Sequence, residues 1–415
     1  MEMHAFGHLT PVEVARRRLW AAVRPVDRVE RVATEAAFHR VLAADVHAPS
    51  PVPGFYRTTW DGYALRSRDT RGASRSAPVD LRVVGEVFAE QSFRRRLAPG
   101  EAVAIATGGA IPKGADAVVI FEEVDREGRR IRVPRTIPKG DRISPPGDDF
   151  PRGALLGRKG EELSAPTLGA VAACGIANVR VYAQPRVAVV PNGNELLSPG
   201  ESPRAGRIFE SNNASIAAVV LASGAIPELH APVPDDPVLI ERELRSALTR
   251  CDMVLATGGS SVGERDHLPR ILPRLGTLLF HGIAVRPGKP TLAARRGRKL
   301  VVGLPGHPTS CLANMYWLML PGLRKLARRP GPGWTDGWAT LGSDAAAPSP
   351  ELATVVPLRL RGGRAYTTYR GSSAISSLSG ATAFALLAPG TRVVHRGERL
   401  KVHLLDPPLG AKGTE

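Results

Sequence analysis

The spacing of apolar and polar positions changes period several times along this chain, and each change marks a unit. Val12, Ala15, Leu19 and Val23 fall on one helical face behind Thr10-Pro11, which reads as a cap followed by a first-turn proline. Ala33 to Leu42 is alanine-rich and reads as a second helix. Pro49 to Gly54 breaks the pattern. Between 55 and 146 the runs shorten to β-like stretches, Leu81–Val87, Ala102–Ala106, Ala117–Phe121 and Arg130–Val133, separated by glycine turns. Helical spacing returns over 163–178 with Leu168, Val171, Ala172 and Gly175. From 186 to 328 strands (Val187–Val190, Met253–Ala256, Val301–Gly303) alternate with helices (Asn213–Leu221, Pro237–Leu248, Cys311–Leu326). That alternation predicts a parallel sheet covered on both faces. Beyond Pro330-Gly331-Pro332-Gly333 come the short β runs Ala353–Leu360, Arg364–Thr368, Ala383–Leu387, Arg392–Val394 and Leu400–Leu405. These predict a small β-barrel. The tail from Pro407 to Glu415 reads as mobile.

The expected architecture is therefore a multidomain α/β protein. A helical first domain (1–50 plus 147–184) is interrupted by a β-rich insertion (51–146). A three-layer α/β domain (185–329) and a C-terminal small β-barrel (335–410) follow. The 415 residues suffice for this, and 43% hydrophobic with 23% charged content is that of an ordinary soluble chain. No apolar run reaches the roughly 18 residues that span a bilayer, and Met1 to Trp20 lacks a secretory pattern. Both point to a cytoplasmic protein with no membrane partner. Cys174, Cys251 and Cys311 fit no zinc spacing and read as buried thiols. The formal charge of +17 comes from scattered arginines. With no zinc finger or aromatic-rich RNA motif, the field suits anionic substrates better than nucleic acid.

The candidate chemistry sits at the ends of the α/β strands. Thr257, Gly258, Gly259, Ser260, Ser261 and Gly263 follow one strand, and Pro305, Gly306 and Ser310 follow another. Glycine and hydroxyl residues ahead of a helix expose backbone N–H groups to an anion. Arg286, Pro287, Gly288 and Lys289 lie between them, with prolines fixing where the ammonium points. Loop acids Glu195, Glu210, Asp235, Asp236 and Asp266 would repel phosphates unless a divalent, oxygen-liking metal intervened, and Mg²⁺ fits. His281 and His307 read as structural. In the β-rich stretch, Asp61-Gly62-Tyr63-Ala64 and Thr107-Gly108-Gly109 place glycine beside an acid or a hydroxyl. Walker, dinucleotide and α/β-hydrolase motifs are absent from the sequence. The residues by themselves reach a phosphorylated or nucleotide-like anion, bound with Mg²⁺ and transferred or hydrolysed.

The ordered set Asp-Gly-Tyr-Ala (61–64), Thr-Gly-Gly-Ala-Ile-Pro (107–112), Gly-Asp-Asp (147–149), Asn-Glu-Leu (194–196), Glu-Ser-Asn (210–212), Thr-Gly-Gly-Ser-Ser-Val-Gly (257–263) with Asp266, Pro-Gly-Lys-Pro (287–290) and Leu-Pro-Gly-His-Pro-Thr-Ser (304–310) resembles the molybdopterin molybdenumtransferases, of the bacterial MoeA type and the gephyrin E domain. The resemblance implies a molybdopterin-binding-type α/β domain. It implies a homodimer whose cleft joins the α/β domain of one subunit to the β-rich domain of the other. The implied reaction converts adenylylated molybdopterin and molybdate, with Mg²⁺, to molybdenum cofactor and AMP. Asp61, Thr107, Glu195, Asp235, Asp266 and Lys289 would be catalytic, and Asp149, Glu195, Asp235 and Asp266 would hold metal. A molybdopterin adenylyltransferase would be the natural partner protein.

The chain departs from the family at Tyr56-Arg57-Thr58-Thr59-Trp60, where Asp-Asn-Ser-Ala-Met is common, and at Asn194, Arg286 and His307. These leave two further readings: a catalytically weak paralogue acting as a protein-binding scaffold, and a user of another oxyanion such as tungstate.

Overall fold

A computed structural model describes residues 8–261, 263 and 266–405. Val262, the tail from Pro407 that reads as mobile, and the first seven residues lie outside the described residues.

The first helix, Val12–Ala22, buries Val12, Ala15, Leu19 and Ala22, the face given by their spacing. Thr10 is not its cap. It pairs as a bridge with Ile283 and donates its N–H to Gly282 O, so this helix is pinned to the α/β unit. The expected helix over Ala33–Leu42 does not form. Val29–Ala33 is a strand paired antiparallel with Asn178–Tyr182, followed only by a single 3₁₀ turn, Thr34–Ala36. Alanine's helix propensity is outweighed there by sheet pairing and by burial of Ala37 and Leu42 with Leu163, Val171, Val179 and Val181. Helix is scarce in this unit. Besides Val12–Ala22, the α-helix among its described residues is Ala165–Ala173, which is capped by Ser164 and ends before Gly175, whose φ is +73°.

Residues 55–146 form a six-stranded sheet with its own two cores, around Tyr63, Leu81 and Ile131 on one side and Val87, Leu97 and Ile105 on the other. Gly62 lies in the strand Gly62–Leu65, between Ala117–Ile120 and Glu101–Ile105, where a Cβ would sit 2.1 Å from Val119 O, so only glycine fits.

The α/β unit runs β1 (Arg186–Pro191), α1 (Asn212–Ala222), β2 (Ile226–Leu229), α2 (Pro237–Arg250), β3 (Met253–Thr257), α3 (Leu268–Leu275), β4 (Thr277–His281), β5 (Leu292–Arg296), β6 (Lys299–Leu304) and α4 (Pro308–Asn314). The sheet order is β2-β1-β3-β6-β5-β4. The first four strands are parallel; β5 and β4 are antiparallel, so the sheet is mixed rather than wholly parallel. One face packs on the Val12–Ala22 helix, α1 and the segment after α4; the other packs on α2 and α3. Three layers result. Chain order reverses between β1 and β3, since β2 lies on one side of β1 and β3 on the other.

In the C-terminal unit the strands Ala353–Arg361, Arg364–Thr367, Trp334–Leu341, Arg399–Leu405 and Ala383–Leu387 pair in that circular order. The last returns to the first and closes a small barrel.

Candidate active site

Register alone brings the glycine loops together. Pro191 lies beside Thr257, and Thr257 beside Leu304. The loops leaving β1, β3 and β6 therefore emerge side by side at the carboxyl edge, at the point of chain reversal where such sheets bind ligands. Their approach is close. A Cβ on Gly258 would stand 2.3 Å from Asn192 O, and one on Gly306 would stand 3.3 Å from Gly258 Cα. Asn192 donates its backbone N–H and its Nδ2 to Thr257 O, at 2.7 and 3.2 Å, tying the first loop to the second. Asn212 Nδ2 donates to Gly306 O at 2.9 Å and ties α1 to the third.

The fourth segment enters from below. Lys289 precedes Leu292, which pairs with Gly303 near the end of β6, so the Arg286–Pro290 turn reaches the same edge. Lys289 and Arg286 are exposed. Arg286 donates to Ser349 Oγ at 2.7 Å. Val285–Arg286 pairs with Ala353–Thr354, so this turn belongs to both the α/β unit and the barrel.

The acids divide by environment. Asp266 Oδ2 accepts from Gly263 N at 2.8 Å, and Asp266 N donates to Gly263 O at 2.9 Å, so Gly263 and Asp266 hold each other. Burial pushes the His281 imidazole down, opposed by its hydrogen bond to the Ser260 backbone and the charge of Asp266. That makes His281 a support for the loop, as its sequence context suggested. Asp235 and Asn194 exchange bonds: Asn194 N donates to Asp235 Oδ2 at 3.2 Å, and Asp235 N to Asn194 Oδ1 at 3.1 Å. The asparagine at 194 thus fixes the loop that exposes Glu195. Two acids counted as candidates are helix caps. Asp236 Oδ1 accepts from Val238 N and Leu239 N at the start of α2. Glu210, 5% exposed, accepts from Asn212 N and Asn213 N, and burial raises its pKa.

Asp61 and Thr107 meet in the 55–146 unit. Asp61 Oδ1 accepts the Thr107 N–H at 2.6 Å and its hydroxyl at 2.9 Å, which holds the carboxyl below the ordinary aspartate value. Both are exposed, as are Tyr56 and Trp60 just before them. Asp149 lies apart: its N–H donates to Val52 O, and its charge acts on Cys174. Among the described residues no group of three or more His, Cys, Asp or Glu side chains converges as a metal site. The expected set Asp149, Glu195, Asp235 and Asp266 does not come together within one chain. Two loop carboxylates with substrate phosphate oxygens are nevertheless the ligand set magnesium commonly takes. Glu195, Asp235 and Asp266 are the loop carboxylates that such a metal would meet.

Ser310 and Pro305 are buried, so they shape the third loop from within, whereas Gly306 and His307 face outward. The buried Asn314 beneath Gly288 escaped the sequence reading, because one polar residue inside an apolar helix reads as a solvent face.

Fold and site together define a multidomain α/β protein with glycine-bearing loops gathered at a sheet reversal. Family models match nearly end to end: "MoeA N-terminal region (domain I and II)" over residues 10–175, "Probable molybdopterin binding domain" over 188–325, and "MoeA C-terminal region (domain IV)" over 341–405. A protein of Bacillus subtilis (strain 168) named molybdopterin molybdenumtransferase is 33% identical over 411 residues, 97% of this chain and 95% of its own length. One of the same name from Nostoc sp. is 32% identical over 73% of this chain and 69% of its own. The crystal structure of a molybdopterin biosynthesis MoeA protein from Pyrococcus horikoshii superposes with a TM-score of 0.83 at 32% identity, covering 96% of this chain and all of that one. The chain belongs to the molybdopterin molybdenumtransferase, or MoeA, family.

Proposed function

We propose that this chain is a molybdopterin molybdenumtransferase of molybdenum cofactor biosynthesis. It takes adenylylated molybdopterin and molybdate: water opens the phosphoanhydride bond and frees AMP, and the two dithiolene sulfurs displace an oxygen of molybdate, which leaves with the thiol protons as water. The observation that carries this reading is the shared edge of the four segments 191–195, 257–261, 286–290 and 303–310. The backbones of these glycine-bearing segments converge at a chain reversal, and the fourth of them carries Arg286 and Lys289. Displacement at phosphorus is mostly positioning and charge neutralisation. In this reading the 257–263 loop and Gly306 cradle phosphate, with Val262 outside the described residues. Arg286 and Lys289 offset the charge of molybdate and phosphate. Glu195, Asp235 and Asp266 face the metal side. Mg²⁺ would supply charge neutralisation between carboxylates and phosphate.

Asp61 and Thr107 enter as the second wall. They stand on a unit with its own cores, separate from those of the α/β unit. A cleft using both is best supplied by a homodimer in which each chain lends its Asp61–Thr107 pair to the other. Asp149 would come with them. An adenylyltransferase supplying the substrate is the fitting partner protein, and the cytoplasm the fitting compartment. Among the described residues no helix is long and apolar enough to cross a membrane. The scaffold reading is less favoured, because relatives matching this chain over most of its length are named molybdopterin molybdenumtransferase.

The test is direct. Purified protein given adenylylated molybdopterin, Mg²⁺ and molybdate should release AMP. Asp266→Asn should lower that release at least a hundredfold with the fold intact. Wild-type protein that folds, binds substrate and releases no AMP would leave only the scaffold. Tungstate in place of molybdate decides the oxyanion.

A further inference from the structure

The turn that carries Lys289 is gripped from beneath by the side chain of Asn314. Gly288 has φ of +116°, and a Cβ there would lie 2.3 Å from Asn314 Oδ1 and 2.5 Å from its Nδ2. The amide fills the space that glycine leaves. Asn314 ends α4 and is fully buried. Its Nδ2 donates to Gly288 O at 3.0 Å and to Thr291 Oγ1 at 2.5 Å. The Thr291 hydroxyl, also fully buried, donates in turn to Gly288 O at 2.8 Å. Trp317 Nε1–H donates to Asn314 Oδ1 at 2.7 Å. Both amide protons and the amide oxygen are thereby engaged. A flipped amide would set its NH₂ against the indole N–H, so one orientation is selected. The helix widens to a π turn, Met315–Met319, directly after Asn314, a local feature common at functional sites.

This network is buried, and through Gly288 O it holds the peptide leading into Lys289, whose own carbonyl accepts from Ile283 N at 2.9 Å. We propose that Asn314, backed by Trp317 and Thr291, is a positioning residue that sets where the Lys289 ammonium meets the oxyanion. The inference rests on the proposed function, in which Lys289 contacts molybdate or phosphate. The competing account is plain core polarity: a satisfied asparagine that only stabilises the helix.

A double-mutant cycle separates the two. AMP release and the KM for molybdate are measured for Asn314→Ala, Lys289→Ala and the pair, with hydrogen exchange reporting the fold of each. If Asn314 acts through Lys289, Asn314→Ala raises the molybdate KM or lowers kcat roughly 10- to 100-fold, the scale of a 1 Å misplacement. In the Lys289→Ala background it should then change activity less than about threefold. Effects that multiply fully in the pair, or an Asn314→Ala protein with wild-type kinetics, overturn the proposal. Should Asn314→Ala fail to fold, Thr291→Val, which removes one hydroxyl from the same network, takes its place in the cycle. Wild-type protein that releases no AMP defeats the functional reading itself; release by wild type with independent effects defeats only this inference.

Discussion

Gly258 gives the sharpest test of how the site is built. Its φ is +84°, and a Cβ would stand 2.3 Å from the carbonyl oxygen of Asn192. Two costs therefore meet in Gly258→Ala. The left-handed backbone costs an alanine about 1–2 kcal/mol. The steric overlap involves main chain on both sides, so no rotamer change relieves it, and forced shifts of this kind cost about 1–3 kcal/mol more. Gly160 isolates the first term. Its φ is +87°, and a Cβ there meets nothing within 4 Å. Gly160→Ala should lose only the strain, while Gly258→Ala should lose both. Because a chain of several units need not unfold in one step, hydrogen exchange is the suitable assay, read on peptides covering Arg186–Pro191 and Met253–Thr257. Those amides should lose about 1–3 kcal/mol more protection in Gly258→Ala than any local loss in Gly160→Ala. Relieving the overlap moves the Thr-Gly-Gly loop by roughly 1 Å, so AMP release should fall on the order of a hundredfold. Equal protection losses in the two variants, with AMP release within twofold of wild type, would refute the claim that the reversal point is held by backbone contact.

Three further outcomes are expected. Thr107→Val removes the hydroxyl that Asp61 accepts, so the Asp61 carboxyl, followed by NMR, should titrate higher than in wild type while staying below the ordinary value through the Thr107 N–H; an unmoved midpoint contradicts the geometry. Glu228 is held down to about 2 by its hydrogen bond to Arg186, helped by Arg250 and opposed by burial. Its folded pKa lies below the unfolded value, so its contribution is present above about 4.5 and lost as pH falls toward 2. Glu228→Gln should flatten the pH dependence of unfolding in that window, and an unchanged slope argues against it. Ser349→Ala frees the guanidinium of Arg286 and should raise the KM for molybdate about three- to tenfold, given the modest net worth of one hydrogen bond at an exposed charge; a KM within error of wild type would show that the barrel contact is idle.

Much of this architecture was legible in the sequence, for physical reasons. Period and punctuation located β1, β3, β6 and α2, because buried parallel strands are continuous apolar runs and their loops carry glycine. The misses have causes as well. Ala33–Leu42 has helix-forming composition but lies beside a strand whose pairing decides its conformation. Strands β4, at the sheet edge, and β5, antiparallel to both its neighbours, have polar ends, and Trp334–Leu341 alternates too weakly to stand out beside the proline linker. At the site, the glycine loops were readable because close backbone approach has few residue solutions. The acids were not, because sequence does not separate a carboxylate that caps a helix, as Glu210 and Asp236 do, from one that faces a ligand.

The attachments of the cleft are unequal, and this bears on how it works. Arg286 lies in a strand of the barrel, Lys289 lies over a helix of the α/β unit, and Thr309 Oγ1 donates to Ala374 O of the barrel at 2.6 Å. The cationic wall is thus fastened to two units at once, and a shift of the barrel would be felt at both charges. Asp61 and Thr107, by contrast, are fastened to each other within a sheet that contributes to neither core of the α/β unit. A preorganised cationic wall needs rigidity, because stabilising developing charge depends on groups that do not reorganise. If Asp61 and Thr107 form the opposite wall, as proposed, that wall needs freedom to admit a substrate as large as a nucleotide-linked pterin. That asymmetry favours opening on the Asp61 side, with Arg286 and Lys289 as the fixed frame.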